Sequence, residues 1–210
     1  NCSSLETVSL PSTLETINKS TFNNCDNLRS IDLSGANVKN IDFWAFEGCD
    51  NLTTIVFPST LEIIGSSAFN SCRKIQEIDL SNTKLTTIGE CAFQYCNELC
   101  SLSLPASLKK IGNYAFFDNY ALRDLDLSMV EEIGDEAFRF ADVLTVDISS
   151  AKSIGENAFT HDATFTINAT TPASIKANSF TGNSKFIVSP NGYDAFCSAN
   201  IWKNWANNIS

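Results

Sequence analysis

The sequence predicts an α/β solenoid: a right-handed superhelix of about eight stacked repeats, with a parallel β-sheet on one face, short helical turns on the other, and a C-terminal cap. Three observations predict it. Phenylalanine recurs at 22, 46, 69, 93, 116, 138, 159 and 180, with gaps of 24, 23, 24, 23, 22, 21 and 21 residues. An isoleucine stands five residues before each one: Ile17, Ile41, Ile64, Ile88, Ile111, Ile133, Ile154 and Ile175. The residue just before each phenylalanine is always small, namely Thr21, Ala45, Ala68, Ala92, Ala115, Ala137, Ala158 and Ser179.

Each part of the repeat has a physical reading. The segment I-x-L, as in Ile31-Asp32-Leu33, alternates apolar and polar residues with period two, so it is a short strand with one buried face. Its inward columns are Val8, Ile31, Ile55, Ile78, Leu102, Leu125, Val146, Phe165 and Leu10, Leu33, Phe57, Leu80, Leu104, Leu127, Ile148, Ile167. A turn follows, written "LPST", "LSGAN", "FPST", "LSNT" or "LPAS". The "IGxxAF" stretch reads as a tight turn entering about one helical turn. Its small residue lets coils approach, and its phenylalanine plugs the interior. Pro11, Pro58 and Pro105 alternate with "IDLS" at 31–34 and 78–81, as a duplicated pair of repeats would. The tail "KFIVSPNGYDAFCSANIWKNWANNIS" reads as a last strand and an amphipathic helix, with Tyr193, Phe196, Ile201, Trp202 and Trp205 covering the final coil. The division is therefore a solenoid over 1–184 and a capping element over 185–210. The opening "NCSSL" reads as the middle of a repeat, so the first repeat is expected to be truncated. Cys2 has no apolar leader before it, and lipidation there is not expected.

One coil cannot fold alone. Burying its large apolar side chains gains roughly 1.5–3 kcal/mol each, while ordering the backbone costs about 1–2 kcal/mol for every residue. Stacking reverses the balance, because each coil covers its neighbour's flanks and pairs its strand.

The chain has 210 residues, 43% of them hydrophobic, and a formal net charge of −10. Its 14 basic residues are scattered, with no cluster longer than Lys109–Lys110. A nucleic-acid partner needs a concentrated basic face and is not expected. Anionic membrane surfaces are disfavoured for the same reason, and no apolar run approaches the length of a membrane helix.

Cys2, Cys25, Cys49, Cys72 and Cys96 share one column, where a later repeat carries Asn119. Neighbours in such a column lie close enough for a disulfide, although five members cannot all pair. A metal is poorly supported, because no C-x-x-C pair occurs and His161 is the only histidine. The remaining reading is a ladder of small, buried, weakly polar thiols at the corner before the strand. Cys91, Cys100 and Cys197 lie off the column.

The unit "CDNLTTIVFPSTLEIIGSSAFNSC" at 49–72 resembles the BspA-like leucine-rich repeats of bacterial and protozoan cell-surface proteins, and the resemblance covers residues 2–181. It implies a secreted or cell-surface, non-enzymatic module for adhesion or protein binding, with no cofactor and no fixed binding motif to carry over. The pattern departs after Phe159, where Asp162, Pro172 and Lys176 replace expected residue types.

In such a solenoid the outward strand positions form a continuous face. One outward column reads Ser9, Asp32, Val56, Asp79, Ser103, Asp126, Asp147, Thr166; the other reads Thr7, Ser30, Thr54, Glu77, Ser101, Asp124, Thr145, Thr164. Neither holds a basic or aromatic residue. The candidate ligand-binding residues are Asp32, Asp79, Asp126, Asp147, Glu77 and Asp124. Their carboxylates suit a basic protein segment, or they simply keep a solvated face from aggregating. Saccharide binding on this face is disfavoured without an aromatic platform. A single weak calcium site near Asp126 is conceivable, but a ladder of such sites is not, because Asp32, Asp79 and Asp126 are two coils apart. No metal and no catalytic residue is assigned, since a flat exposed face lacks the enclosure that shifts pKa values. The expected function is a cell-surface or secreted binding module, probing a host or matrix protein as a monomer. The competing expectation is a spacer or stalk without a ligand of its own.

Overall fold

The computed structural model describes residues 2–180 and 183–210. Asn1 and residues 181–182, which fall within the 1–184 range assigned to the solenoid, lie outside the described residues. The chain winds into about eight coils that present two parallel strand rows. The first row is a continuous eight-stranded sheet of two-residue strands: Thr16–Ile17, Asn40–Ile41, Ile63–Ile64, Thr87–Ile88, Lys110–Ile111, Glu132–Ile133, Ser153–Ile154 and Ser174–Ile175. Its register aligns the isoleucines, as in Ile64↔Ile88 and Ile88↔Ile111. These isoleucines are buried while the residue before each is partly or fully exposed, which is the period of two that a half-buried strand requires.

The second row carries the I-x-L segments, and it is not continuous. Ser30–Asp32 pairs with Thr54–Val56, and Glu77–Asp79 pairs with Ser101–Ser103. Asp124–Asp126, Thr145–Asp147, Thr164–Ile167 and Lys185–Val188 form a four-stranded sheet. This corrects the single sheet expected from the sequence. Both splits follow a strand that runs into proline, at Phe57-Pro58 and Leu104-Pro105. In the aspartate coils the residue after the strand donates across to the next coil: Leu33 N to Val56 O at 2.9 Å and Leu80 N to Ser103 O at 2.8 Å. Among the described residues no such bond leaves Phe57 or Leu104. Proline restricts the backbone of the residue before it and has no N–H of its own. Its turn also starts one residue later, closing from Leu61 N to Pro58 O and from Leu108 N to Pro105 O, where the aspartate coil closes from Ala36 N to Leu33 O. The inner residues of the proline coils, Ile55, Phe57, Leu102 and Leu104, are consequently only partly buried, unlike Ile31, Leu33, Ile78 and Leu80.

The expected helical turn after "IG" is also corrected. Among the described residues the only helices are the α-helix Tyr193–Ser198 and the 3-10 helix Trp202–Asn208, both in the tail. The "IGxxAF" stretches are chains of turns in which alternate N–H groups point to the next coil. Phe69 N donates to Ala92 O at 2.8 Å, whereas Asn70 N turns back to Ser67 O at 3.2 Å. Such alternation needs residues with positive φ, as at Ser67 (53°) and Ser71 (61°). A helix would spend its N–H groups internally; here half of them tie the coils together.

Inside this ladder the eight phenylalanines form one stack. Successive centroids lie 5.0–5.9 Å apart, and Phe69 and Phe93 are tilted by only 1°. Aromatic contacts at this spacing add about 0.5–1.5 kcal/mol each beyond burial. Glycine is needed where coils approach: a Cβ on Gly112 would sit 2.7 Å from Glu90 N and 2.8 Å from Gly89 C.

Cys25, Cys49, Cys72 and Cys96 are buried and unpaired, whereas Cys2 is exposed. Each buried thiol after the first donates to a phenylalanine carbonyl of the preceding coil: Cys49 Sγ to Phe22 O and Cys72 Sγ to Phe46 O at 3.1 Å, and Cys96 Sγ to Phe69 O at 3.3 Å. Asn119 takes the same place, with Nδ2 donating to Phe93 O at 2.9 Å. The carbonyls of Phe22, Phe46 and Phe69 also accept the N–H of the cysteine in their own coil, so the column supplies a small second donor that links one coil to the next. Burial pushes the Cys72 thiol well up and the Cys96 thiol to about 12.

At the C-terminal end Phe196 and Trp202 are buried, and Trp202 Nε1 donates to Ala173 O at 2.8 Å. Trp202 and Trp205 both contact Phe180 and Phe186. Tyr193, expected among the covering residues, is instead 41% exposed. Ile209 bridges Phe186, covering the last strand's edge.

Two outcomes follow. Phe93→Ala removes a ring from mid-stack and should cost about 3–5 kcal/mol in urea unfolding; a loss near zero would contradict a continuous core. The thiols Cys72 and Cys96 have raised folded pKa values, so their contribution to stability is intact below the ordinary thiol value of 9.0 and is lost as pH rises towards about 12. Thermal melts above pH 9.0 should therefore drop more steeply for the wild type than for Cys96→Asn.

Candidate binding face

The six carboxylates expected to bind a ligand all lie on the I-x-L row. Asp32, Asp79, Asp124, Asp126 and Glu77 are exposed and Asp147 is half-buried. The structure brings only some of them together. Asp126 and Asp147 are register partners with Asp124 on the same strand, and Glu77 shares a strand with Asp79. Asp32 stands opposite Val56.

Four of these aspartates have local work. Each lies two residues before a serine, and its Oδ1 accepts that serine's N–H: Ser34 to Asp32 at 2.8 Å, Ser81 to Asp79 at 3.0 Å, Ser128 to Asp126 at 3.0 Å and Ser149 to Asp147 at 2.9 Å. The serine hydroxyls of Ser34, Ser81 and Ser149 add a second bond to the same oxygen, at 2.5–2.6 Å. These are Asx turns, in which the side chain mimics a backbone turn. The signal was in the recurring "D-L-S" or "D-I-S" triplet, which directs the turn as proline does in the alternate coils. The serine hydrogen bonds hold the carboxyls of Asp32, Asp79 and Asp126 below the usual carboxylate range. Asp124 differs, accepting Thr145 Oγ1 from the next coil at 2.5 Å. The turn bonds thus orient all four carboxylates, and they favour the ionised form of Asp32, Asp79 and Asp126.

The splits in the sheet give this face relief. A depression of about 400 Å³ is lined by Ile55, Val56, Phe57, Glu77 and Asp79, among others. A second, about 420 Å³, is lined by Leu102, Asp124, Asp126, Asp147 and Thr166, among others. Each combines an apolar floor left open by a proline coil with a carboxylate rim from the following coils. Five of the six candidate residues line one or the other; Asp32 lines neither. Sequence reasoning missed the floor, because Ile55 and Leu102 were assigned to the core. Among the described residues no group of three or more His, Cys, Asp or Glu side chains is placed to hold a metal ion, and no helix is long and apolar enough to cross a membrane.

A parallel solenoid whose repeat carries two strand rows has the architecture of the leucine-rich repeat class. The family model for the BspA type leucine rich repeat region matches residues 1–84 and 81–187, in six copies, and the chain belongs to that family. Its members are typically surface or secreted proteins, and the fold generally serves binding or structural roles without catalysis. The solved leucine-rich repeat protein of T. pallidum (TpLRR) is 25% identical, with a TM-score of 0.62 over 74% of this chain and 72% of that one. A leucine-rich repeat protein from Bacteroides ovatus ATCC 8483 is 17% identical, with a TM-score of 0.44 over 95% of this chain and 72% of that one. The pneumococcal vaccine antigen PcpA is 16% identical, with a TM-score of 0.42 over 88% and 69%. No curated protein matches the chain.

Because the folded pKa values of Asp32, Asp79 and Asp126 are lowered, their contribution is present above the unfolded value of 3.8 and is lost as pH falls through the folded values. Acid unfolding of Ser34→Ala/Ser81→Ala should therefore begin at higher pH than that of the wild type, as read by circular dichroism. Coincident acid transitions would show that the turns add nothing.

Proposed function

We propose that this chain is a cell-surface or secreted binding module whose I-x-L face docks a basic segment of a host or matrix protein. The observation that carries the reading is the pair of depressions with apolar floors and carboxylate rims at Glu77–Asp79 and at Asp124–Asp126–Asp147. Lysine and arginine side chains have the matching form, an aliphatic stem ending in a cation. The stem covers Ile55 or Leu102, and the cation meets rim carboxylates of which Asp79, Asp126 and Asp147 are already oriented by their turns. Asp32 contributes long-range attraction from the same face. The net charge of −10 favours encounter with a cationic partner. In this reading residues 1–184 bind and 185–210 close the array, with the chain acting as a monomer and without catalysis.

Replacing Glu77→Gln, Asp79→Asn, Asp124→Asn, Asp126→Asn and Asp147→Asn together removes charge and keeps a side-chain acceptor for every turn. Binding to an immobilised lysine- and leucine-rich peptide, measured by surface plasmon resonance, should be salt-sensitive in the wild type and weakened at least roughly tenfold in the variant. Equal binding by both proteins would leave the face without a ligand and favour a spacer.

A further inference from the structure

The aromatic residues missing from the I-x-L face stand on another edge, where the Ala-Phe turns project. Left-handed backbone is tolerated by glycine and by small polar residues, and a bulky ring there is unusual. Most positive-φ positions follow that rule, as at Asn24, Gly48, Ser67 and Asn157. Four aromatic residues do not: Trp44 (61°), Tyr95 (60°), Tyr114 (56°) and Phe140 (63°). The residues Trp44, Tyr95 and Phe140 also stay partly open to solvent, being 40%, 37% and 41% exposed. Every Ala-Phe turn needs the left-handed backbone, but none needs a half-exposed ring there, and a bulky residue at such a position points to function.

Three coils combine these rings into a ledge. Phe117 stands between Tyr95 and Phe140, with centroids at 5.8 and 5.3 Å and rings crossed at 86° and 77°. Arg139 lies over Phe140 at 4.7 Å and pairs with Glu136, which also accepts the Tyr114 hydroxyl. The ledge ends at an open depression of about 530 Å³ lined by Arg123, Asp142, Leu144, Thr160 and His161, among others. The link is direct: Phe140 N donates to Thr160 Oγ1 at 2.9 Å. Within the depression Arg123 and His161 each reach a separate oxygen of Asp142, both at 3.1 Å.

We propose that this edge is a saccharide-binding site, separate from the acidic face. A pyranose has an apolar C–H face that stacks on an aromatic ring, and vicinal hydroxyls that both donate and accept. Tyr95 and the Phe140 face opposite Arg139 supply the platforms, while Arg123 and Asp142 supply a paired donor and acceptor for a sugar in the depression. The volume is in the ordinary range of a small-ligand site, about 300–1,000 Å³. A purely apolar partner would desolvate the Arg123–Asp142–His161 group without replacing its hydrogen bonds. A cationic segment is drawn instead to the unpaired carboxylates of the other face.

The test uses Tyr95→Asn/Phe140→Asn, because asparagine suits the left-handed positions and preserves the turns, together with Asp142→Asn off the ledge. Native electrophoresis through gels containing soluble β-glucan, xylan or mucin reads the interaction. The wild type should be retarded by at least one of these polymers, and each variant should bind it roughly tenfold or more weakly. The double variant should melt no lower than the wild type. The charge-removed variant of the acidic face should be retarded as the wild type is, which separates this site from that one. Free migration of the wild type in all three gels would overturn the proposal. So would unchanged retardation of the variants, or a lowered melting temperature of the double variant, which would make the rings structural.

Discussion

Coil-to-coil spacing is the constraint on which the molecule depends. Backbone bonds from Phe69 N to Ala92 O and its equivalents, together with the phenylalanine stack, fix that spacing, with ring centroids 5.0–5.9 Å apart. No coil has enough apolar area to fold alone. Every outward residue therefore inherits its spacing from a neighbour's backbone. Carboxylates, rings and ion pairs recur at coil intervals because the ladders leave them no other place. Lys39–Glu15, Arg73–Asp50 and Lys110–Glu132 are examples of charges paired from one coil to the next.

The fold was legible wherever a residue type repeats for one physical reason. The phenylalanine and isoleucine columns, the inward strand positions and the cysteine column were all readable by period alone. The conformation between them was harder. "IGxxAF" is compatible with a helical turn in sequence, but the neighbouring coil competes for its N–H groups, and that competition is tertiary. The broken sheet depends on the bonding of Phe57 and Leu104, which their apolar character does not reveal. Tyr193 illustrates the same limit: its amphipathic spacing suggested burial, yet Phe196, Trp202 and Trp205 cover the end without it.

The candidate site was legible in identity and not in shape. Counting outward positions located six carboxylates correctly on one row. It did not show that four close their own turns, because an Asx turn and a free carboxylate look alike when columns are read one residue at a time. Nor did it show the apolar floors, which exist because proline coils fail to join the coil that follows. The rings of Tyr95 and Phe140 sit at variable positions of the repeat, and a search for recurring residues passes over what occurs once or twice.

The alternation of aspartate and proline turns has a consequence for how such an array changes length. The hydrogen-bonded couple, such as Ser30–Asp32 with Thr54–Val56, is a two-coil module with a seam on its far side. Unequal recombination at a seam would add or remove a whole module and leave every couple intact. An exchange one coil out of phase would instead set two proline coils or two aspartate coils side by side, and the second arrangement joins in one sheet, as Asp124–Asp126 does with Thr145–Asp147. In the proline-bearing part of the solenoid the repeating unit is thus the doublet, and each added doublet would add a notch along the face.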